Sequence, residues 1–144
     1  MKSMNEVFLL GHVGRDPEVS KTRSGKDRAT FSLATSYSIR ADDGWDERTD
    51  WHKVVVFDWL AKRVEERLRK GDPVMVRGRM SSHKWTDDNG QARVSWSVVA
   101  REVSFLRSRR DGEHRDLGMG PAPGSVAMPP QAPGEVQPDD DIPF

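Results

Sequence analysis

One change of hydrophobic period constrains this chain more than any other feature. Three segments read as strands, then a single segment reads as a helix, then two more read as strands. Asn5–Val13 is an apolar run that would be buried on both faces as a strand. Across Ala29–Ile39 the pattern alternates, with Phe31, Leu33, Tyr37 and Ile39 facing one way and Thr30, Ser32 and Ser36 the other. Asp42-Asp43-Gly44 marks a turn, and Thr49–Phe57 is rich in β-branched and aromatic residues. From Asp58, a candidate helix cap, Leu60, Ala61, Val64 and Leu68 recur at helical spacing. Glu65 with Arg69 and Glu66 with Lys70 form i,i+4 pairs in the favourable orientation. Gly71 and Pro73 end the helix. Val74–Met80 is a fourth strand, Asp88-Asn89-Gly90 a hairpin turn, and Arg93–Leu106 a fifth strand. In that last strand Val94, Trp96, Val98 and Ala100 share one parity while Val103 and Phe105 have the other. The switch predicts a bulge or bend near Arg101–Glu102.

Three strands, a helix and two strands is the order of a five-stranded OB-fold barrel with its helix between strands three and four. A small sandwich would give similar strand signals but has no place for the helix. The predicted class is therefore all-β with one helix. The composition changes near Arg110. Residues 111–144 hold seven of the nine Pro and five of the twelve Gly, and Phe144 is their only aromatic. So little can be buried there that ordering is not offset, and a disordered C-terminal tail is expected. The expected organisation is a folded domain over 1–108, a Pro/Gly-rich linker over 109–138 and a terminal tip over 139–144.

The formal net charge is zero, but residues 1–110 carry an excess of six basic side chains and residues 111–144 an excess of six acidic ones. A basic body with an acidic tail suggests a polyanionic partner for the body and a separate role for the tail. There is no Cys, which excludes disulfides, thiolate metal sites and cysteine nucleophiles. No two of the four His lie at H-x-x-x-H spacing. Apolar runs such as Val7–Leu10 and Val54–Phe57 are far too short to cross a bilayer. Met1 and Lys2 lead into no apolar stretch of the kind a secretory signal needs. The expected location is the cytoplasm, and no cofactor or metal is expected.

The Thr49–Phe57 strand is the most informative. Trp51, Lys53, Val55 and Phe57 share one face, and His52, Val54 and Val56 the other. Two rings around a cation make a surface on which bases stack and a phosphate is neutralised. The plainer reading places both rings in the core with Lys53 simply solvated. His83-Lys84-Trp85 precedes the hairpin turn, where Trp85 beside Lys84 could clamp a strand against the barrel or fold back onto its own hairpin. Arg77, Arg79 and Arg93 could form a basic stripe or a solubilising face. His52 points away from Trp51 and Lys53, as a packed or interface histidine would. Asp42, Asp43, Asp46, Glu47 and Asp50 have the irregular spacing of a solvated loop and match no metal-loop pattern. Gly11-His12-Val13-Gly14 lacks the G-K-[ST] ending of a phosphate loop. The chain ends Asp139-Asp140-Asp141-Ile142-Pro143-Phe144, a peptide suited to a pocket with an apolar floor and a basic rim. It could also be no more than an acidic end.

Taken in order, these segments resemble the bacterial single-stranded DNA-binding protein family over essentially the whole chain. The resemblance rests on Asn5-Glu6-Val7, Gly11, Gly14 and Asp16-Pro17-Glu18. It continues through Leu33-Ala34-Thr35-Ser36, Trp51 to Phe57, Leu68-Arg69-Lys70-Gly71, Lys84-Trp85-Thr86-Asp87 and the terminal hexapeptide. It implies an OB-fold homotetramer that wraps single-stranded DNA without sequence preference and has no enzymatic activity. It implies base stacking by Trp51, Phe57 and Trp85. Phosphate contacts are implied for Lys53, Lys70, Lys84 and Arg93, with Arg79 of the basic stripe as a further candidate. His52 falls where the family has a subunit-interface histidine. Residues 139–144 resemble a docking peptide for replication, recombination and repair proteins. Ile39 stands where members often place a stacking Trp, and Tyr37 has the same strand parity. Trp45, Trp59 and Trp96 have no role to carry over, and Trp96 is expected in the core. Fewer than 30 residues of linker precede the tip, which limits its reach. Two other classes fit parts of the pattern: an OB module that binds protein, and a Mg²⁺-dependent nuclease using the 42–50 acids.

Overall fold

The computed structural model describes residues 1–106. The linker over 109–138 and the tip, Asp139 to Phe144, lie outside the described residues. The elements are β1 (Val7–Val13), β2 (Glu18–Lys21), β3 (Asp27–Ala41), β4 (Gly44–Phe57), α1 (Asp58–Arg67), β5 (Pro73–Thr86) and β6 (Ala92–Phe105). The sheet order β1-β5-β6-β4-β3 closes on itself because β1 also pairs with β3, through His12↔Ala34 and Val13↔Leu33. All ladder pairs are antiparallel except β4 with β6, where Val54 lies beside Val98 and Val55 beside Val99. This is the five-stranded OB-fold barrel predicted from the order of elements.

Closure depends on a close approach. A Cβ at Gly11 would lie 2.1 Å from the Ala34 carbonyl oxygen, so only glycine fits the seam. The interior is filled by alternate residues of each strand: Val13, Phe31, Leu33, Val54, Val56, Val74, Val76 and Val98. At about 1.5–3 kcal/mol for each large apolar side chain buried, this row dominates the stability of the domain. One end is sealed by α1, whose Leu60, Ala61 and Val64 are buried together with Leu68 at its C-terminal cap. A ten-residue helix is marginal alone, so packing of this apolar stripe holds it. The Arg63 and Arg67 guanidinium groups lie 5.9 Å and 5.8 Å from the Phe105 ring centroid, tying the helix to β6.

Several local expectations are corrected. Asp58 is not the helix cap. Phe57 occupies that position without a side-chain cap bond, and Asp58 follows with φ 56°. The left-handed region is one that Asp tolerates better than most residues. The helix ends at Arg67, so Glu65 and Glu66 do not have the i,i+4 partners their spacing predicts. The Arg69 guanidinium instead donates to the carbonyls of Glu65 and Leu68, at 2.8 Å and 2.7 Å. Gly71 is not the stop either: the helix ends at an extended Leu68, and Gly71, at φ 87°, shapes the turn three residues further on. Strand β1 is buried on one face only, because Phe8, Leu10 and His12 point outwards from the barrel.

Strands β4 and β5 run well past the segments predicted for them, back to Gly44 and on to Thr86, whereas β6 matches the long last strand read from the sequence. Two polar hairpins run past the barrel, joined at Ala41↔Gly44 and Thr86↔Ala92. Strand β2 was not legible either, since all four of its residues are exposed. Asp27 on β3 anchors it, pairing with Lys21 and lying 3.5 Å from Lys62 of α1. The hydrogen bond from Lys21 is the main cause holding the Asp27 carboxyl below its ordinary pKa. The predicted bulge is present: Gly78 pairs with Ala100 and Arg77 with Glu102, which leaves Arg101 as the extra residue.

Candidate nucleic-acid interface

Alternation on β4 turns Val54 and Val56 into the core and Trp51, Lys53, Val55 and Phe57 onto the outer face. The residues paired with Trp51 and Lys53 on β3 are Ala34 and Ser32. These small neighbours leave the larger side chains standing above the sheet. Gly14 lies beneath the Trp51 ring, and its N–H donates to the Ser32 carbonyl at 2.9 Å. Val55 is buried and abuts Val99 of β6, so the outer surface continues from β4 onto the β5–β6 hairpin. By register, Arg79, Ser81, His83 and Trp85 share that outer face with Val99 and Arg93.

The surface therefore brings Trp51, Lys53, Phe57, Arg79, Trp85 and Arg93 to one side of the sheet. Arg93 is partly neutralised, because its Nε donates to Asp87 Oδ2 at 2.9 Å. The Asp87 carboxylate also accepts from the backbone N–H groups of Gln91 and Asn89, at 2.9 Å and 3.0 Å. These bonds, the one from Gln91 first, hold its pKa below the ordinary value of 3.8. Lys70 is exposed in the turn after α1, with its backbone N–H bonded to Asp16 Oδ1 at 2.8 Å. Arg77 shares the outer face of β5 with Arg79 but is engaged towards β1: its Nε lies 3.4 Å from Glu6, and its guanidinium 5.6 Å from the Phe8 ring centroid.

Two residues are placed differently from the sequence reading. Lys84 is not beside Trp85 in space, since neighbours on a strand point to opposite faces. It shares the inner-parity face with Val94 and Trp96. Trp96 is not core: it is 62% exposed, against 2% for Val98 two residues on. The core stripe continues along β6, but at Trp96 the hairpin has already left the barrel. Tyr37 and Ile39 share the inner-parity face of the β3–β4 hairpin, opposite to Trp51. His52 lies on that same face, half-buried, with Nε2 2.7 Å from Thr35 Oγ1. Asp46 and Asp50 lie on one face of β4 and Glu47 on the other, and no three His, Asp or Glu side chains gather for a metal ion among the described residues.

A model of the Single-strand binding protein family matches residues 4–106. The chain belongs to this family. It is 35% identical to Single-stranded DNA-binding protein 1 of Xylella fastidiosa (strain 9a5c) over 113 residues, covering 77% of this chain and 83% of that protein. A solved chain described as a Plasmodium falciparum SSB complex with ssDNA superposes with a TM-score of 0.68 at 32% identity. The match covers 74% of this chain and 98% of that one.

As a member of the single-strand binding protein family, the chain carries surface features that its sequence did not signal. Phe57 lines a cleft with Trp59, Leu60, Arg79, Val99, Ala100 and Arg101. Trp59 opens the helical segment, so strand alternation could not place it, and Arg101, the bulged residue of β6, lines the cleft beside it. Trp45, 73% exposed, lies on the same outer face of β4 as Trp51 and opposite Arg40. Its parity with Trp51 was readable, but only once β4 was known to start at Gly44. No helix among the described residues is long and apolar enough to cross a membrane.

Proposed function

We propose that this protein is a non-enzymatic, sequence-independent binder of single-stranded DNA. It protects the strand and recruits replication, recombination and repair proteins through residues 139–144. The observation that carries the reading is the outer face of β4, where Trp51, Lys53 and Phe57 stand in one row on the barrel. Bases of any sequence present a π-face to such rings, and duplex bases do not. Stacking by Trp51, Phe57 and Trp85 supplies affinity without sequence readout. Lys53, Lys70, Arg79 and Arg93 supply the phosphate contacts, and with them a dependence on salt; Lys84 meets a strand only where it passes the opposite face of the β5–β6 hairpin.

The reading includes a homotetramer. Phe8, Leu10 and Met75 form an exposed apolar strip across β1 and β5, where Leu10 pairs with Met75. The exposure of that strip in the single chain supports an interface that covers it, and His52 serves at a subunit contact. The acidic tail competes weakly for the basic body, and bound DNA releases the tip for partners. The division of six excess positive and six excess negative charges supports this. The protein acts in the cytoplasm at the nucleoid.

The test is intrinsic tryptophan fluorescence during titration with oligo(dT) and with a matched duplex, at low and high salt. Quenching by the single strand alone, weakened by salt, is the expected result. A folded protein that shows neither quenching nor binding would overturn the reading. Removing residues 139–144 should preserve or strengthen binding to oligo(dT) while abolishing partner recruitment.

A further inference from the structure

The cleft at the start of α1 extends beyond the row on β4. Its volume is about 470 Å³. That is within the ordinary range for a small-ligand site. Its floor is apolar, made by Leu60, Val99 and Ala100. Phe57 and Trp59 supply two rings, and Arg79 and Arg101 supply two guanidinium groups. Arg101 is held by an ion pair with Glu6. Trp59 is 65% exposed, so it contributes little to the core. The backbone explains its position: Asp58 turns through the left-handed region at φ 56°, between the end of β4 and the helix. The chain thus leaves the strand at Phe57 and places the indole two residues later beside the same cleft.

We infer that this cleft is a nucleobase-binding site, in which Trp59 and Phe57 hold one base of the bound strand while Arg79 and Arg101 face its phosphates. The occupant follows from the chemistry of the lining. A flat apolar group with an adjacent anion satisfies both the rings and the guanidinium groups, and a nucleotide has both parts. The site is also continuous with the row on β4, since Phe57 belongs to both. A strand stacked on Trp51 and crossing Lys53 reaches it without leaving the surface. The inference rests on the single-strand reading above and adds to it a stacking residue, Trp59, and a place where the strand continues past Phe57 onto α1.

The test compares wild type, Trp59→Ala, Trp59→Phe and Trp51→Ala by fluorescence anisotropy. Each binds labelled oligo(dT) and a strand of equal length that carries abasic sugars throughout. Trp59→Ala should weaken oligo(dT) binding about five- to a hundred-fold, the cost of losing one stacked base. Trp59→Phe should recover most of that loss. On the abasic strand, Trp59→Ala and wild type should bind alike, because no base is there to stack. Equal binding of oligo(dT) by wild type and Trp59→Ala, with Trp51→Ala weakened, would sink this inference alone. An equal loss on both strands would also sink it, because the indole would then act on the backbone or on folding. Failure of wild type to bind oligo(dT) at all would remove the single-strand reading together with it. Thermal melts verify folding, and Trp59→Phe, which keeps a ring at an exposed position, guards against an unfolded alanine variant.

Discussion

The Trp51 indole lies across Gly14. A Cβ added at Gly14 would sit 2.3 Å from the ring carbon Cζ3 and 2.8 Å from Ser32 Oγ. Glycine there sets the height and tilt of the ring over the sheet. Gly14→Ala should displace the indole while leaving the core untouched. Oligo(dT) affinity is expected to fall by up to the worth of one stacked base, about 1–3 kcal/mol. The melting temperature should change little. Unchanged affinity in a titration of the variant would show that the ring's seat on Gly14 is unimportant.

Gly11→Ala should behave in the opposite way. Its Cβ would meet a backbone carbonyl, that of Ala34, where β1 closes the barrel on β3. Neither strand can give way without opening the seam. Overpacking of this kind costs about 1–3 kcal/mol and more where backbone must move. Urea denaturation should show a loss at or above the top of that range.

In the proposed function Trp51 and Lys53, two residues apart on one face of β4, act through different forces. Lys53→Ala should flatten the plot of log affinity against log salt by about 0.7 if it neutralises one phosphate. Trp51→Ala should lower affinity by a similar factor at every salt concentration. Titrations of both variants at four or five salt concentrations separate the two effects.

The Asp87 carboxylate ties the tip of the β5–β6 hairpin through Gln91, Asn89 and Arg93. Its pKa is lowered in the folded state, so this support is complete above the ordinary value of 3.8. It is lost as pH falls through the lower folded value. The tip should stay ordered from neutral pH down to about 4 and loosen below. Amide exchange at Asn89 and Gln91 reads this directly. In Asp87→Ala the same amides should exchange quickly already at pH 7.

Leu10 is 64% exposed in the single chain and pairs with Met75, itself on the outer face. Leu10→Asp should leave the barrel folded but dissociate the proposed tetramer, since a carboxylate would enter the apolar strip unpaired. Sedimentation should show a smaller species. A variant that remains tetrameric would move the interface elsewhere.

Legibility followed the balance between local pattern and distant pairing. The core strands were readable because apolar residues alternate wherever one face meets the interior. The helix was readable because Leu60, Val64 and Leu68 recur at its own period. The outer arms of β4 and β5 and the whole of β2 were not, since backbone hydrogen bonds hold them and their side chains are mostly polar. Trp96 shows the limit best. Its parity is that of the core, yet it is exposed because the strand outruns the barrel there.

The sequence by itself determined the number of principal strands, the position of the helix, the bulge near Arg101 and the common face of Trp51, Lys53 and Phe57. These are properties of periodicity, and periodicity is local. Tertiary structure alone decided that Gly14 seats Trp51, that Lys84 and Trp85 part company across a strand, and that Trp59 shares a cleft with Phe57 and Arg101. Each of these depends on barrel closure, on register or on a turn at Asp58, which bring together residues that no spacing in the chain relates.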